Sequence, residues 1–235
     1  LDRDVSETNN LATKEPERLN EMIQLWWEEA EKYGVLPLDD RTLELFRSST
    51  GKGSPHAKRT YVYRHPISHM PAGVAANMGN RSFVIEADIK RKKNENGVLL
   101  AIGGSNVGLS LFIKDEKLMF DYNIFYDHKI IESGATVPEG NVKLGVYLER
   151  KDPEGAVTLL IDGEEAGKMS IPFVIRILGS TGMDIGRDSL SPVSEQYEAP
   201  FPFEGEITQV AVHLPERGNT IEQSFLAMRS EMGME

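Results

Sequence analysis

Apolar residues recur at every third or fourth position between Glu15 and Tyr33, where Leu19, Met22, Ile23, Trp26, Ala30 and Tyr33 form a stripe opposite Glu17, Glu21, Glu28 and Glu31. That period is helical. Pro16 near its start and Gly34 just past its end are the residues that open and close helices, so a helix is predicted over 15–33. Val35 to Phe46 has little period and is interrupted by Pro37, which predicts an extended strap. The next stretch, 47–58, contains Ser48-Ser49-Thr50-Gly51-Lys52-Gly53-Ser54-Pro55 and has the composition of a linker. Beyond it the period changes to two.

Phe83, Ile85, Ala87 and Ile89 alternate with Val84, Glu86, Asp88 and Lys90, the pattern of a half-buried strand, while Gly97 to Gly103 is continuously apolar and reads as a fully buried one. Leu109, Leu111 and Ile113 alternate up to Asp115-Glu116 and are answered by Leu118, Phe120, Tyr122 and Ile124, which predicts a hairpin. Val142, Leu144, Val146 and Leu148 form another alternating set, and Val157, Leu159 and Ile161 end at the turn dipeptide Asp162-Gly163, predicting a second hairpin. Val210, Val212 and Leu214 alternate until Pro215. Thr220 and Gln223 make a capping box before Ile221, Phe225, Met228 and Met232, a short terminal helix. Many short strands between closely spaced turns predict a mainly β chain built as an antiparallel sandwich. Its expected divisions are 1–46 (helix and strap), 47–58 (linker), 59–214 (sandwich) and 215–235 (C-terminal helix).

Composition narrows the classes. A chain of 235 residues can bury one sandwich-sized core without covalent staples, and the absence of Cys removes disulfides and thiolate metal sites. A net charge of -11 opposes a phosphate backbone, so no nucleic acid partner is expected. The one basic run, Lys90-Arg91-Lys92-Lys93, precedes Asn94-Glu95-Asn96-Gly97 and reads as a solvated hairpin loop. No apolar run is long enough for a helical membrane span.

Two resemblances follow from ordered motifs. The series Gly97-Val98-Leu99-Leu100-Ala101, Gly108-Leu109-Ser110-Leu111-Phe112-Ile113-Lys114-Asp115-Glu116-Lys117-Leu118, Leu159-Leu160-Ile161-Asp162-Gly163, Asp184-Ile185-Gly186-Arg187 and Phe203-Glu204-Gly205-Glu206-Ile207 is similar to the jelly roll of laminin G and concanavalin A-like lectin domains. Leu1, Asp4, Glu7, Asn10, Leu11 and Ala12 resemble the closing segment of a bacterial arylsulfatase catalytic domain, with Val5 where Pro is usual. The resemblance continues through Leu25-Trp26-Trp27-Glu28-Glu29-Ala30, Gly34-Val35-Leu36-Pro37-Leu38-Asp39-Asp40-Arg41, Arg59-Thr60-Tyr61, Asn80-Arg81-Ser82, Asp184-Ile185-Gly186-Arg187-Asp188, Ser191-Pro192-Val193-Ser194 and Pro200-Phe201-Pro202-Phe203. It implies the C-terminal part of a large arylsulfatase, with the catalytic domain upstream of Leu1 as partner and a bacterial cytoplasmic or periplasmic setting. The parent would hydrolyse sulfuric esters with formylglycine, made from a Cys in Cys-x-Pro-x-Arg, beside calcium. This chain has no Cys and so lacks that nucleophile. By the family's domain order, the resemblance implies that the metal carboxylates and the catalytic Lys and His lie upstream of Leu1. Alone the chain is expected to be inactive and to carry no cofactor.

The remaining candidates divide between chemistry and architecture. His65 and His69 have the spacing of a helical zinc site, but Pro66 between them favours a loop, and His56, His128 and His213 are scattered. Gly103-Gly104-Ser105-Asn106-Val107-Gly108 lacks the Lys of a phosphate loop and joins two strands, so it reads as a hairpin. Asp184, Asp188 and the loop 189–195 could supply oxygens to calcium or could hold turn amides. Tyr122, Phe125, Tyr126, Tyr197 and Phe201 could stack on a glycan if they shared a concave face, or could fill a core. Glu28-Glu29 and Glu164-Glu165 are neighbours whose side chains diverge, so neither pair is an acid/base dyad. Asn80-Arg81-Ser82 fits a glycosylation pattern. These weighings assign no catalytic, cofactor-binding or metal residue. They leave two functions: an arylsulfatase accessory domain, self-associating through the stripe of helix 15–33 if that stripe lacks its packing surface, or a free-standing carbohydrate-binding, lectin-like module.

Overall fold

A computed structural model describes residues 8, 10–36, 60–151, 153–175 and 181–215. The expected strap beyond Leu36, the linker 47–58 and the terminal helix lie outside them. The chain divides into two compact units, Leu1–Ser54 and Pro55–Glu235.

The first unit contains helix α1 (Pro16–Lys32), with Pro16 in its first turn and no side-chain cap. It ends in a Schellman motif: Gly34 takes φ 68°, the Val35 amide donates to the Ala30 carbonyl at 2.8 Å and the Gly34 amide to Glu31 at 3.2 Å. Ala30 is its one buried residue, while Leu19, Met22, Ile23, Trp26 and Trp27 remain exposed.

The second unit is an antiparallel β-sandwich. Its strands are β1 (Thr60–Tyr63), β2 (Phe83–Arg91), β3 (Gly97–Gly104), β4 (Val107–Lys114), β5 (Lys117–Ile124), β6 (Asp127–Glu132), β7 (Gly140–Lys151), β8 (Glu154–Ile161), β9 (Glu164–Ile171), β10 (Met183–Ile185) and β11 (Glu206–His213). They form a six-stranded sheet in the order β1-β11-β2-β7-β8-β9 and a five-stranded sheet in the order β10-β3-β4-β5-β6. The inward rows, among them Phe83, Ile85, Leu109, Leu111, Phe120, Leu144 and Leu159, are sealed from water, which is the alternation read in the sequence. As predicted, β4 and β5 join at Asp115-Glu116 and β8 and β9 at Asp162-Gly163.

The basic run is not a solvated loop throughout, because Arg91 ends β2 and is only 2% exposed. Its guanidinium donates to the Val137 carbonyl at 2.6 Å and to both oxygens of Glu116 at 3.0 and 3.4 Å. The Glu116 carboxylate also accepts from the Asn94 amide. One side chain therefore joins the end of β2 to the β4–β5 turn and to the β6–β7 connection.

Candidate functional site

The outward face of the five-stranded sheet is built of mixed chemistry. Asp184, Ala101, Ser110, Asp121 and Ile130 lie opposite one another across β10, β3, β4, β5 and β6, and Asn123 pairs with Gly108 on one side and His128 on the other. Alternation puts all of these on one face. Loop 186–203 covers it: Val193, Tyr197 and Phe201 pack on Val98, Ala101, Phe112, Met119 and Ile130 in a second, smaller core. Tyr197 lies edge-on to Phe112 and stacks on Phe201, each at 5.0 Å between centroids.

Polar contacts fasten this loop. Asp184 accepts from the Ser189 amide and hydroxyl, both at 3.0 Å. Asp188 accepts from the Val193 amide at 2.8 Å and from the Tyr197 hydroxyl at 2.7 Å, and the Tyr197 oxygen lies 2.8 Å from the Ser110 hydroxyl. The Asp184–Asp188 region thus holds turn amides, the second of its two sequence readings. No cluster able to hold a metal occurs among the described residues. Burial pushes the Asp188 carboxyl above the ordinary range, against the lowering influence of the Val193 amide and the Tyr197 hydroxyl. Asp121, fully buried, is likewise raised by burial, which outweighs Ser194 and His128. His69 is a loop residue: its Nε2 donates to the Thr181 carbonyl at 2.7 Å and its Nδ1 faces Asp184 at 3.2 Å. His128 is not isolated, since its Nδ1 lies 2.8 Å from Asp121 and its Nε2 lies 3.7 Å from Glu195.

At one end of this face the covering loop meets two hairpin turns, and a single side chain gathers them. The Asn123 amide nitrogen donates to the Ser105 carbonyl at 2.8 Å and the Val193 carbonyl at 3.1 Å, and its oxygen accepts from the Tyr126 amide at 3.0 Å. Those contacts use the amide's donors and acceptor together, which only Asn or Gln can do. The Ser191 hydroxyl accepts from the Ser105 amide at 3.2 Å, and Gly104 permits that approach because a Cβ there would stand 2.5 Å from the Ser191 oxygen. Gly103 to Gly108 is thus a hairpin connection, as expected.

The five sequence-selected aromatics do not share a face. Tyr122 points into the main core, where its hydroxyl accepts from the Ile175 amide at 3.1 Å, and Tyr197 and Phe201 lie within the covering loop's core. Phe125 and Tyr126 alone are displayed, at 69% and 68% exposure. They form the two-residue turn between β5 and β6, with φ of 52° and 69°. Left-handed backbone at both positions marks a type I′ turn, a geometry that favours Asn and Gly and penalises bulky side chains by about 1–2 kcal/mol per residue. The other two-residue turns with positive φ throughout use Asp115-Glu116 and Asp162-Gly163. The pair is thus exposed and held in left-handed backbone at once.

No family model matches this chain, and no curated protein matches it. Among solved structures, the CBM40 module of the Ruminococcus gnavus IT-sialidase bound to α2,3-sialyllactose aligns with TM-score 0.51 and 12% identity, over 72% of this chain and 96% of that one. The leech intramolecular trans-sialidase complexed with 2,7-anhydro-Neu5Ac aligns with TM-score 0.51 and 13% identity, over 72% of this chain and 27% of that one. At such identity the likeness is one of fold. It shows this unit to share the jelly-roll β-sandwich fold.

Proposed function

We propose that the sandwich is a carbohydrate-binding module and that its contact surface is the rim around Phe125 and Tyr126. The carrying observation is the display of two adjacent aromatic rings in a turn geometry that disfavours them. Ring faces complement the apolar C–H faces of pyranoses, and the polar groups beside them, Glu195 and the Ser105–Ser191 pair, provide hydrogen bonding at the edge. The fold shared with a sialyllactose-bound CBM40 module supports this reading. Titration of the intact chain with an oligosaccharide panel, followed by calorimetry, tests it. Phe125→Ala/Tyr126→Ala is expected to abolish binding while keeping the unfolding midpoint. Undiminished binding by that variant would overturn the assignment.

A second reading concerns the whole polypeptide. The ordered motifs shared with large arylsulfatases support placing this chain as the accessory C-terminal part of such an enzyme, whose formylglycine and calcium would belong to the catalytic domain. The two readings are compatible, because an accessory module can hold substrate glycans near a catalytic domain. Reading the source DNA upstream of Leu1 decides the matter: a Cys-x-Pro-x-Arg codon series supports the arylsulfatase parent, and an open frame without one removes it.

A further inference from the structure

We infer that the Phe125–Tyr126 rim selects neutral saccharides and discriminates against sugars carrying a carboxylate or a sulfate; this rests on the carbohydrate reading above. A sugar anion is held by a cation free to turn toward it, most effectively an Arg fork. Among the described residues flanking the turn, the cationic candidates are already engaged. Lys129 lies 2.7 Å from Asp127, the residue that follows Tyr126 in the chain. His128 lies between Asp121 at 2.8 Å and Glu195 at 3.7 Å. Carboxylates therefore outnumber cations here, and the two at the surface, Asp127 and Glu195, have side chains 62% and 76% exposed. The chain's net charge of -11 adds a field of the same sign.

The groups that remain available suit hydroxyls. A carboxylate accepts an O–H with charge assistance, so Glu195 can take a sugar hydroxyl without needing a cation from the ligand. The aromatic faces take uncharged C–H surface, and neither ring offers a counter-charge to an anion. Neutral pyranoses satisfy both features. A sialic acid or sulfated sugar at the same place would bring its charge against Asp127 and Glu195, at a cost that falls as salt rises.

The test is a matched comparison on the intact chain: lactose, cellobiose and maltose against α2,3-sialyllactose and sulfated lactose, each titrated at low and at physiological salt. The expected result is that at least one neutral sugar binds about tenfold more tightly than every acidic one, with the gap narrowing as salt rises and the binding lost in Phe125→Ala/Tyr126→Ala. Phe125→Asn/Tyr126→Gly provides a second, turn-compatible variant with the same expected loss. Glu195→Lys should narrow the preference for neutral sugar. Tighter binding of an acidic sugar that both turn variants abolish would overturn the neutral preference and keep the rim as the glycan site. Binding of any sugar that neither variant disturbs, or no binding across the panel, would overturn the rim assignment and this inference together.

Discussion

Asn123 and Asp121 show how two buried polar residues on one strand can do opposite things to stability. Asn123 ties three loops together through a neutral amide with its groups satisfied, so Asn123→Ala should cost about 2–4 kcal/mol, because it leaves the Ser105 and Val193 carbonyls and the Tyr126 amide without that partner. Urea unfolding checks it, and a loss within experimental error would show the rim to be held by packing instead. Asp121 and Asp188 are pushed upward by burial, so between the ordinary carboxylate range and their raised folded values the native state holds more protons than the unfolded chain. Stability contributed by these groups therefore falls as pH rises through that window. Glu116 has the opposite sign: the Arg91 hydrogen bond, with the Asn94 amide second, lowers its folded value. Its contribution is present above the ordinary glutamate range and is lost as pH falls through the lowered value. Unfolding midpoints measured from acid to neutral pH should thus lose part of their rise in Glu116→Gln and part of their fall in Asp188→Asn. An unchanged profile in both variants would contradict these assignments.

Hairpin turns decide what the sequence could reveal about the elements. Asp115-Glu116 carries turn chemistry between two alternating runs and Asp162-Gly163 closes one such run, so the hairpins they make are legible in the sequence alone. Phe125-Tyr126 carries none, so the sequence offers β5 but no return strand, and β6 emerges from the fold alone. β9, with Glu164, Glu165, Gly167 and Lys168, and the three-residue β10 are similarly without a clear alternating signal. The site is half visible: its aromatics stand out as candidates, but their separation into core, loop core and rim depends on pleat direction and on loop 186–203. Asn123 gives no sign of its role, since a polar residue at the end of an apolar strand looks solvent-facing. Replacing Phe125-Tyr126 with Asn-Gly should raise stability by about 1–2 kcal/mol through relief of left-handed strain, and differential scanning calorimetry reads that directly. A lowered melting temperature would show that the rings stabilise the fold after all. Helix α1 makes a separate prediction from its exposed Leu19, Met22, Ile23 and Trp26. Light scattering is expected to report a mass above one chain that Met22→Glu/Trp26→Glu returns to a monomer; a monomeric parent chain removes the idea.

The sandwich as a whole is fastened differently at its two ends. One end is bolted by buried Arg91, which reaches Glu116 and the Val137 carbonyl, whereas the other carries the displayed turn and is gathered by a neutral amide. Arg91→Met should therefore lower the unfolding midpoint far more than Lys90→Ala or Lys92→Ala, because it strands buried carbonyls that the exposed lysines never touched. Equal effects from the three substitutions would deny Arg91 its structural role. Strand order carries a consequence of another kind. β11 lies between β1 and β2, although among the described strands β1 and β2 come first in the chain and β11 last. A ribosome thus releases both flanking strands long before the one that joins them, and each waits with an open edge able to pair with another chain. Synthesis that stops short of Glu206 leaves that slot unfilled, so the hazard of aggregation is greatest in the interval after β10 has emerged and before β11 follows it.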